Sequence, residues 1–154
     1  MKFLVVGGSG YVGRNLLSHL KAEGYQALGT KRRSGLADLT PFDLYKDRIR
    51  NCVDPAFFDG DEPVTGVIAA GISQIDRCFN ERETTRVVNV KNTVQLIQDL
   101  QSMDVRPLFI SSHAVFDGET GYDNEDRPFR PISEYGRQKA EVERYIADQG
   151  RDSL

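Results

Sequence analysis

Apolar residues alternate along this chain between short continuous runs and longer stretches of helical period. Residues 2–6 form an apolar run that stops at Gly7-Gly8-Ser9-Gly10, the pattern of a buried strand meeting a turn. Val12, Leu16, Leu17 and Leu20 then recur at helical spacing, opposite Arg14, Asn15, Ser18 and Lys21, and Gly24 fits as the helix stop. Residues 25–30 predict a second strand, 48–53 a weak third, 63–70 a fourth ending at Gly71, and 107–111 a fifth. Val87, Val90, Val94, Ile97 and Leu100 mark one face of a helix over about 83–103. A polar, proline-bearing stretch, 117–131, precedes a last helix over about 134–149. Residues 36–45 and 75–83 are further candidate helices of poor periodicity.

Continuously apolar strands alternating with helices predict an α/β fold, a Rossmann-like doubly wound parallel sheet of about five strands in the order 3-2-1-4-5, with helices on both faces. Ligands of such folds sit at the carboxyl ends of the strands. The 154 residues suit one ordinary domain and argue against a large multidomain enzyme. A formal net charge of −3 argues against nucleic acid as partner. No apolar run approaches the roughly 18 residues of a membrane span, and the start is too brief for a signal peptide. Cys52 and Cys78 lie far apart in no metal or redox spacing, so no metal is expected and a reducing cytoplasm fits.

Between the first strand and first helix, Gly7, Gly10 and Gly13 read as GxxGxxG, and Gly8, Gly10 and Gly13 as GxGxxG. Glycines there permit a tight turn and close approach of backbone to a pyrophosphate, which meets the positive end of the helix. A tight turn without ligand is the competing reading. The second strand runs into Thr30-Lys31-Arg32-Arg33 with no acid before Asp38. A carboxylate there would favour the ribose hydroxyl of NAD(H); cations favour a 2′-phosphate, so NADP(H) is preferred and NAD(H) is second. A solvated basic turn is the competing reading.

Tyr135-Gly136-Arg137-Gln138-Lys139 puts a phenol and an ammonium on one helix face, which alone is a weak signal. It gains weight from Ser111-Ser112 at the end of the fifth predicted strand. Redox chemistry at an alcohol or carbonyl needs a proton moved as hydride moves, and a tyrosine can move it if an adjacent cation lowers its pKa. Lys139 would supply that field and Ser112 would hold the substrate oxygen. An ordinary amphipathic helix residue is the alternative for Tyr135.

These residues resemble the extended short-chain dehydrogenase/reductases, and within them the dTDP-4-dehydrorhamnose reductase-like branch of sugar-nucleotide reductases. The carrying segments are GGSGYVG at the start, Ala69-Ala70-Gly71, Val88-Asn89-Val90, the run from Ile110 through Gly118, and Pro131 through Glu141. The resemblance runs to about residue 149 and implies that Gly7, Gly10, Tyr11, Val12 and Gly13 cradle the pyrophosphate. It places Asn51 and Cys52 beside the adenine, where Asn departs from the family's Asp, and Ala69, Ala70 and Gly71 beside the nicotinamide. Asn89 would hold a water and orient Lys139, with Ser112, Tyr135 and Lys139 as the catalytic set. His113 and Ala114 stand where the branch usually has Asp and Tyr.

Members of this family are typically about twice as long, with a C-terminal part that closes over the sugar nucleotide. Residues 1–154 therefore read as the NAD(P)-binding domain without that substrate-binding part. Three functions are open: an NADP-dependent reductase of a 4-keto sugar nucleotide, a non-catalytic NADP-binding regulatory or partner subunit, and a sugar-nucleotide epimerase or dehydratase. Relatives pair into dimers through the helices corresponding to 83–103 and 134–149, so the resemblance makes a homodimer through the same surfaces one expectation; the alternative is that Val142, Tyr145 and Ile146 face their own sheet.

Overall fold

The computed structural model describes residues 1–32, 37–119 and 126–149. They form two compact units: the described residues of Met1–Gly71 and Gln95–Ile110, and those of Ile72–Val94 and Ser111–Asp152.

The first unit holds a parallel sheet of β1 (Lys2–Val6), β2 (Gln26–Lys31), β3 (Thr40–Pro41), β4 (Val64–Ile68) and β5 (Val105–Phe109). Its order is β3-β2-β1-β4-β5, the Rossmann-like α/β arrangement expected. Leu4 lies beside Leu28 and Gly66, and Val5 beside Gly29 and Val67. Successive strand residues point to opposite faces, so these two rows line different sides of the sheet. Leu17 and Leu20 of α1 (Tyr11–Ala22) pack with Val5 and Val67 on one side. On the other, Leu100 of α4 (Thr93–Gln101) lies so close that a Cβ on Gly66 would meet it at 2.9 Å. Helices thus cover both faces. That coverage explains why β1 is apolar from Phe3 onward: Leu4, Val5 and Val6 are fully buried, each contributing roughly 1.5–3 kcal/mol.

The third strand is not where the apolar pattern put it. Residues 48–53 contain a 3-10 turn, Ile49–Asn51, with Ile49 and Val53 buried and the Val53 amide donating to the Ile49 carbonyl. Two apolar residues four apart share a side in a helical turn, and the period of two that a strand needs is missing. Arg48 and Arg50 clamp the buried Asp99, with Arg48 Nε at 2.6 Å and Arg50 Nη2 at 2.9 Å. Burial would raise the Asp99 carboxyl, but the bonds and charges of the two arginines outweigh it and hold the group below its usual range. The strand beside β2 is instead Thr40–Pro41, which pairs with Thr30 and Lys31. The candidate helix 36–45 is therefore overturned where described; Leu36 lies outside the described residues. Asp43 there accepts from the Tyr45 amide in a tight turn, local bonding that competes with helix.

The second unit contains α2 (Ile75–Asn80), α3 (Arg82–Arg86), a π-helix (Val87–Asn92), a 3-10 turn (His113–Val115) and α5 (Glu134–Asp148). The helix expected over 83–103 is thus α3, the π-helix and α4 in succession, and the one expected over 134–149 is α5. Arg86 pairs with Glu141, and Arg82 lies 3.8 Å from Glu134. Between these ion pairs sit Thr85, Asn89 and Gln138, all buried. Positions 134, 138 and 141 on α5 thus meet 82, 85, 86 and 89, spacings of three and four that keep one face of each helix in contact.

Candidate functional sites

The glycine turn is built almost wholly from backbone. Gly7 has φ of 92° and its amide donates to Thr30 Oγ1 at 3.0 Å; the Gly10 amide donates to the Gly7 carbonyl at 2.9 Å. A Cβ on Gly13 would lie 2.3 Å from the Gly7 carbonyl oxygen, an approach that no side chain permits. Thr30, almost fully buried at the end of β2, fixes the turn from beside it; as a polar side chain in an apolar strand it was visible in the sequence. Helix α1 starts at Gly10 with no side-chain cap and no acid in its first turn. Tyr11 and Val12, its first two residues, are exposed. Their amides precede any intrahelical acceptor, so the helix end offers N–H groups and a positive dipole to an anion. This donor set fits a pyrophosphate.

Lys31 closes β2 and Arg32 follows it, exposed; Arg33 lies outside the described residues. Asn51 is exposed at the end of its 3-10 turn. Cys52 follows it, half-buried, and burial, then the charge of Asp47, pushes its thiol up. Ala69 and Ala70 follow β4, with the Ala69 amide bonded to Val6, and Gly71 is exposed. The first unit thus holds all the described residues expected to contact a dinucleotide other than Tyr135 and Lys139.

The second unit gathers Ser112, Tyr135 and Lys139. Ser112 caps the 3-10 turn His113–Val115, accepting from the Ala114 amide at 3.2 Å. Ser133 caps α5, accepting from the Gly136 amide at 3.0 Å. A Cβ on Gly136 would stand 2.0 Å from the Ala114 carbonyl oxygen, so only glycine lets the first turn of α5 lie against that 3-10 turn. Tyr135 is thereby brought to Ser112. Burial pushes the Tyr135 phenol above its usual range, while a hydrogen bond with Ser112 draws it down and the neighbouring Cys78 adds to the rise. The lowering expected from an adjacent cation is not found in this chain: burial dominates, and the group that opposes it is Ser112 rather than Lys139. Lys139 Nζ lies 5.9 Å from the centre of the Tyr135 ring. Burial lowers Lys139 to about 8, against the opposing charge of Glu143.

Asn89, in the π-helix, is fully engaged. Its Oδ1 accepts from the Ile72 amide at 2.7 Å, and its Nδ2 donates to the Ile72 carbonyl and to Gln138 Oε1, each at 2.8 Å. Gln138 Nε2 donates onward to Thr85 Oγ1 at 3.0 Å. Thr85 and Gln138 carried no motif, though a glutamine on the apolar side of α5 was a readable signal. His113 is exposed and rests edge-on against Phe116. Among the described residues no cluster of three or more His, Cys, Asp or Glu could hold a metal ion, and no helix is long and apolar enough to cross a membrane.

Residues 3–153 match the family model described as the NAD dependent epimerase/dehydratase family. The chain is 32% identical over 157 residues to a UDP-glucose 4-epimerase of Streptomyces lividans, covering 94% of this chain and 46% of that relative. Among solved structures, a hypothetical dTDP-4-dehydrorhamnose reductase from Sulfolobus tokodaii is 28% identical with a TM-score of 0.77, covering 94% of this chain and 51% of that one. The Thermus thermophilus UDP-glucose 4-epimerase, solved in complex with NAD, has the same fold at 22% identity and a TM-score of 0.77, with 99% and 52% covered. The chain spans about half the length of the curated relatives it matches.

Proposed function

The chain belongs to the NAD dependent epimerase/dehydratase family, and on that premise we propose that it serves NADP-dependent reduction of a 4-keto sugar nucleotide. The observation that carries this reading is the gathering of Ser112, Tyr135 and Lys139 in one unit, with Ser112 near enough to Tyr135 to draw its phenol down and Lys139 5.9 Å from the centre of its ring. Gly7, Gly10, Tyr11, Val12 and Gly13 hold the pyrophosphate against the uncapped start of α1. Lys31, Arg32 and Arg33 take a 2′-phosphate, Asn51 and Cys52 border the adenine, and Ala69, Ala70 and Gly71 border the nicotinamide.

The reduced nicotinamide, when bound, supplies a hydride to the carbonyl carbon. Tyr135 donates its phenolic proton to the carbonyl oxygen, which becomes a hydroxyl, and the phenolate is reprotonated from solvent. Ser112 holds that oxygen as its charge develops. The Lys139 ammonium stabilises the phenolate, and Asn89 fixes the position of α5 and hence of Lys139 through Gln138. A phenol raised by burial is a reluctant acid, so the cation beside it is what makes the transfer workable near neutral pH.

A second reading, epimerisation of a sugar nucleotide, is favoured by the 32% identity to a UDP-glucose 4-epimerase. The same side chains would then remove and return a proton with no net consumption of nucleotide. Titration of the purified chain with NADPH and NADH, followed by nucleotide fluorescence, tests both. Tighter binding of NADPH, lost on replacing Lys31 and Arg32 with alanine by about tenfold or more, supports the phosphate-selecting turn. Oxidation of NADPH on adding a dTDP-4-keto sugar supports the reductase; tightly retained NAD without net oxidation supports the epimerase. Binding with no turnover of either kind points to a non-catalytic subunit, and no binding of either nucleotide overturns the whole reading.

A further inference from the structure

Glu143 follows Lys139 by four residues in α5, so the two side chains share a helix face. Its carboxylate accepts a hydrogen bond from the Ser111 hydroxyl. Ser111 adjoins Ser112, the partner of Tyr135. Two other acids of α5 are engaged elsewhere, Glu134 with Arg82 and Arg137 and Glu141 with Arg86, and Asp148 lies nine residues beyond Lys139. We propose that Glu143, held in place by Ser111, is a positioning residue that keeps Lys139 in its ammonium form beside Tyr135. The role rests on the reading of Tyr135 as proton donor, but the charge coupling itself does not.

Lys139 needs such help. It is largely withdrawn from water, and burial favours its neutral amine. The groups around this cluster are Tyr135 and Glu143 on α5, Ser111 and Ser112 before the 3-10 turn, and Cys78 on α2 beside Tyr135. Cys78 is buried and its thiol is pushed up by that burial, so it brings no negative charge. Glu143 is the group that opposes the loss of the Lys139 proton. A glutamate free to rotate would give up much of that effect to solvent, and the Ser111 hydroxyl removes that freedom.

The test is the titration of Lys139 itself, read from its side-chain 13Cε and 15Nζ NMR signals, assigned by their absence in Lys139→Arg. In E143Q the midpoint falls by about half a pH unit or more. E143D, which keeps the charge, returns part of the shift, and S111A gives a smaller fall in the same direction. Circular dichroism confirms that each variant keeps its helix content; should E143Q not fold, the E143D and S111A titrations decide. A midpoint unmoved in E143Q, or equal falls in E143Q and E143D, overturns the proposal. A residue that merely braced α5 would alter the melting temperature and leave the midpoint where it was. No nucleotide is present, so failure of cofactor binding or turnover would show separately from failure of this coupling.

Discussion

The glycine turn and the Ser112–Tyr135–Lys139 cluster achieve precision by opposite means. The turn works by subtraction: at Gly7 and Gly13 neighbouring backbone comes so close that any side chain would collide. The cluster works by addition, with a relay of buried side chains from Ile72 through Asn89 and Gln138 to Thr85 fixing the helix that carries Tyr135 and Lys139. A backbone-built site is intolerant of size but indifferent to charge. A side-chain-built site tolerates changes of size at its rim yet depends on every donor and acceptor being matched.

Substitutions can break each half separately. The largest effect is expected from Tyr135→Phe, which removes the proton donor: turnover in a coupled NADPH assay falls by about 10²–10⁴-fold, with nucleotide binding in the fluorescence titration retained. Gly13→Ala comes next. Its methyl group meets the Gly7 carbonyl at 2.3 Å, so the turn must open, at a cost of about 1–3 kcal/mol in denaturant unfolding and with loss of measurable NADPH binding. Gln138→Leu removes one of the two oxygen acceptors of Asn89 Nδ2 and leaves Thr85 Oγ1 without its donor, costing about 1–3 kcal/mol in the same unfolding assay. Here the glycine turn should still bind nucleotide, which would show the two regions failing independently.

The smallest effect is a pH slope. Lys139 is lowered to about 8 in the folded chain, whereas the unfolded chain holds its proton to about 10.4. Across that window the unfolded state binds more protons, so stability rises with pH. Below it the buried charge is a standing cost. Lys139→Met is therefore expected to be more stable than the parent at pH 7 and to lose the rise between pH 8 and 10 in urea midpoints. A parent chain with no such slope would mean that Lys139 is better solvated than its burial implies.

Much of the fold could be read from the residues because its physics is periodic. The runs at 2–6 and 63–70 are apolar since both faces of those strands are covered, and α1 and α5 carry their periods plainly. Strand β3 is two residues long and one of them is proline, so it has no period to detect. Residues 48–53 look like a strand only because Ile49 and Val53 are buried within a helical turn. The candidate site divides in the same way. Gly13 and the Tyr135–Lys139 spacing are legible because sterics and helix geometry act locally. The link between Ser111 and Glu143, thirty-two residues apart, exists only once the chain has folded.

Two adjacent serines end up with different employments. Ser111 answers to Glu143 and Ser112 to Tyr135, groups eight residues apart on α5 and so separated by about 12 Å along its axis. Ser112 is extended, and neighbours in extended backbone face opposite ways. Chemically the two hydroxyls are identical; what distinguishes them is parity. Loss or gain of a single residue ahead of Ser111 would put one serine in the other's place and carry its neighbour out of the pair, while leaving composition nearly untouched. In this segment the count of residues therefore matters alongside their identity: an insertion or deletion would displace both hydroxyls at once, whereas a point change loses one.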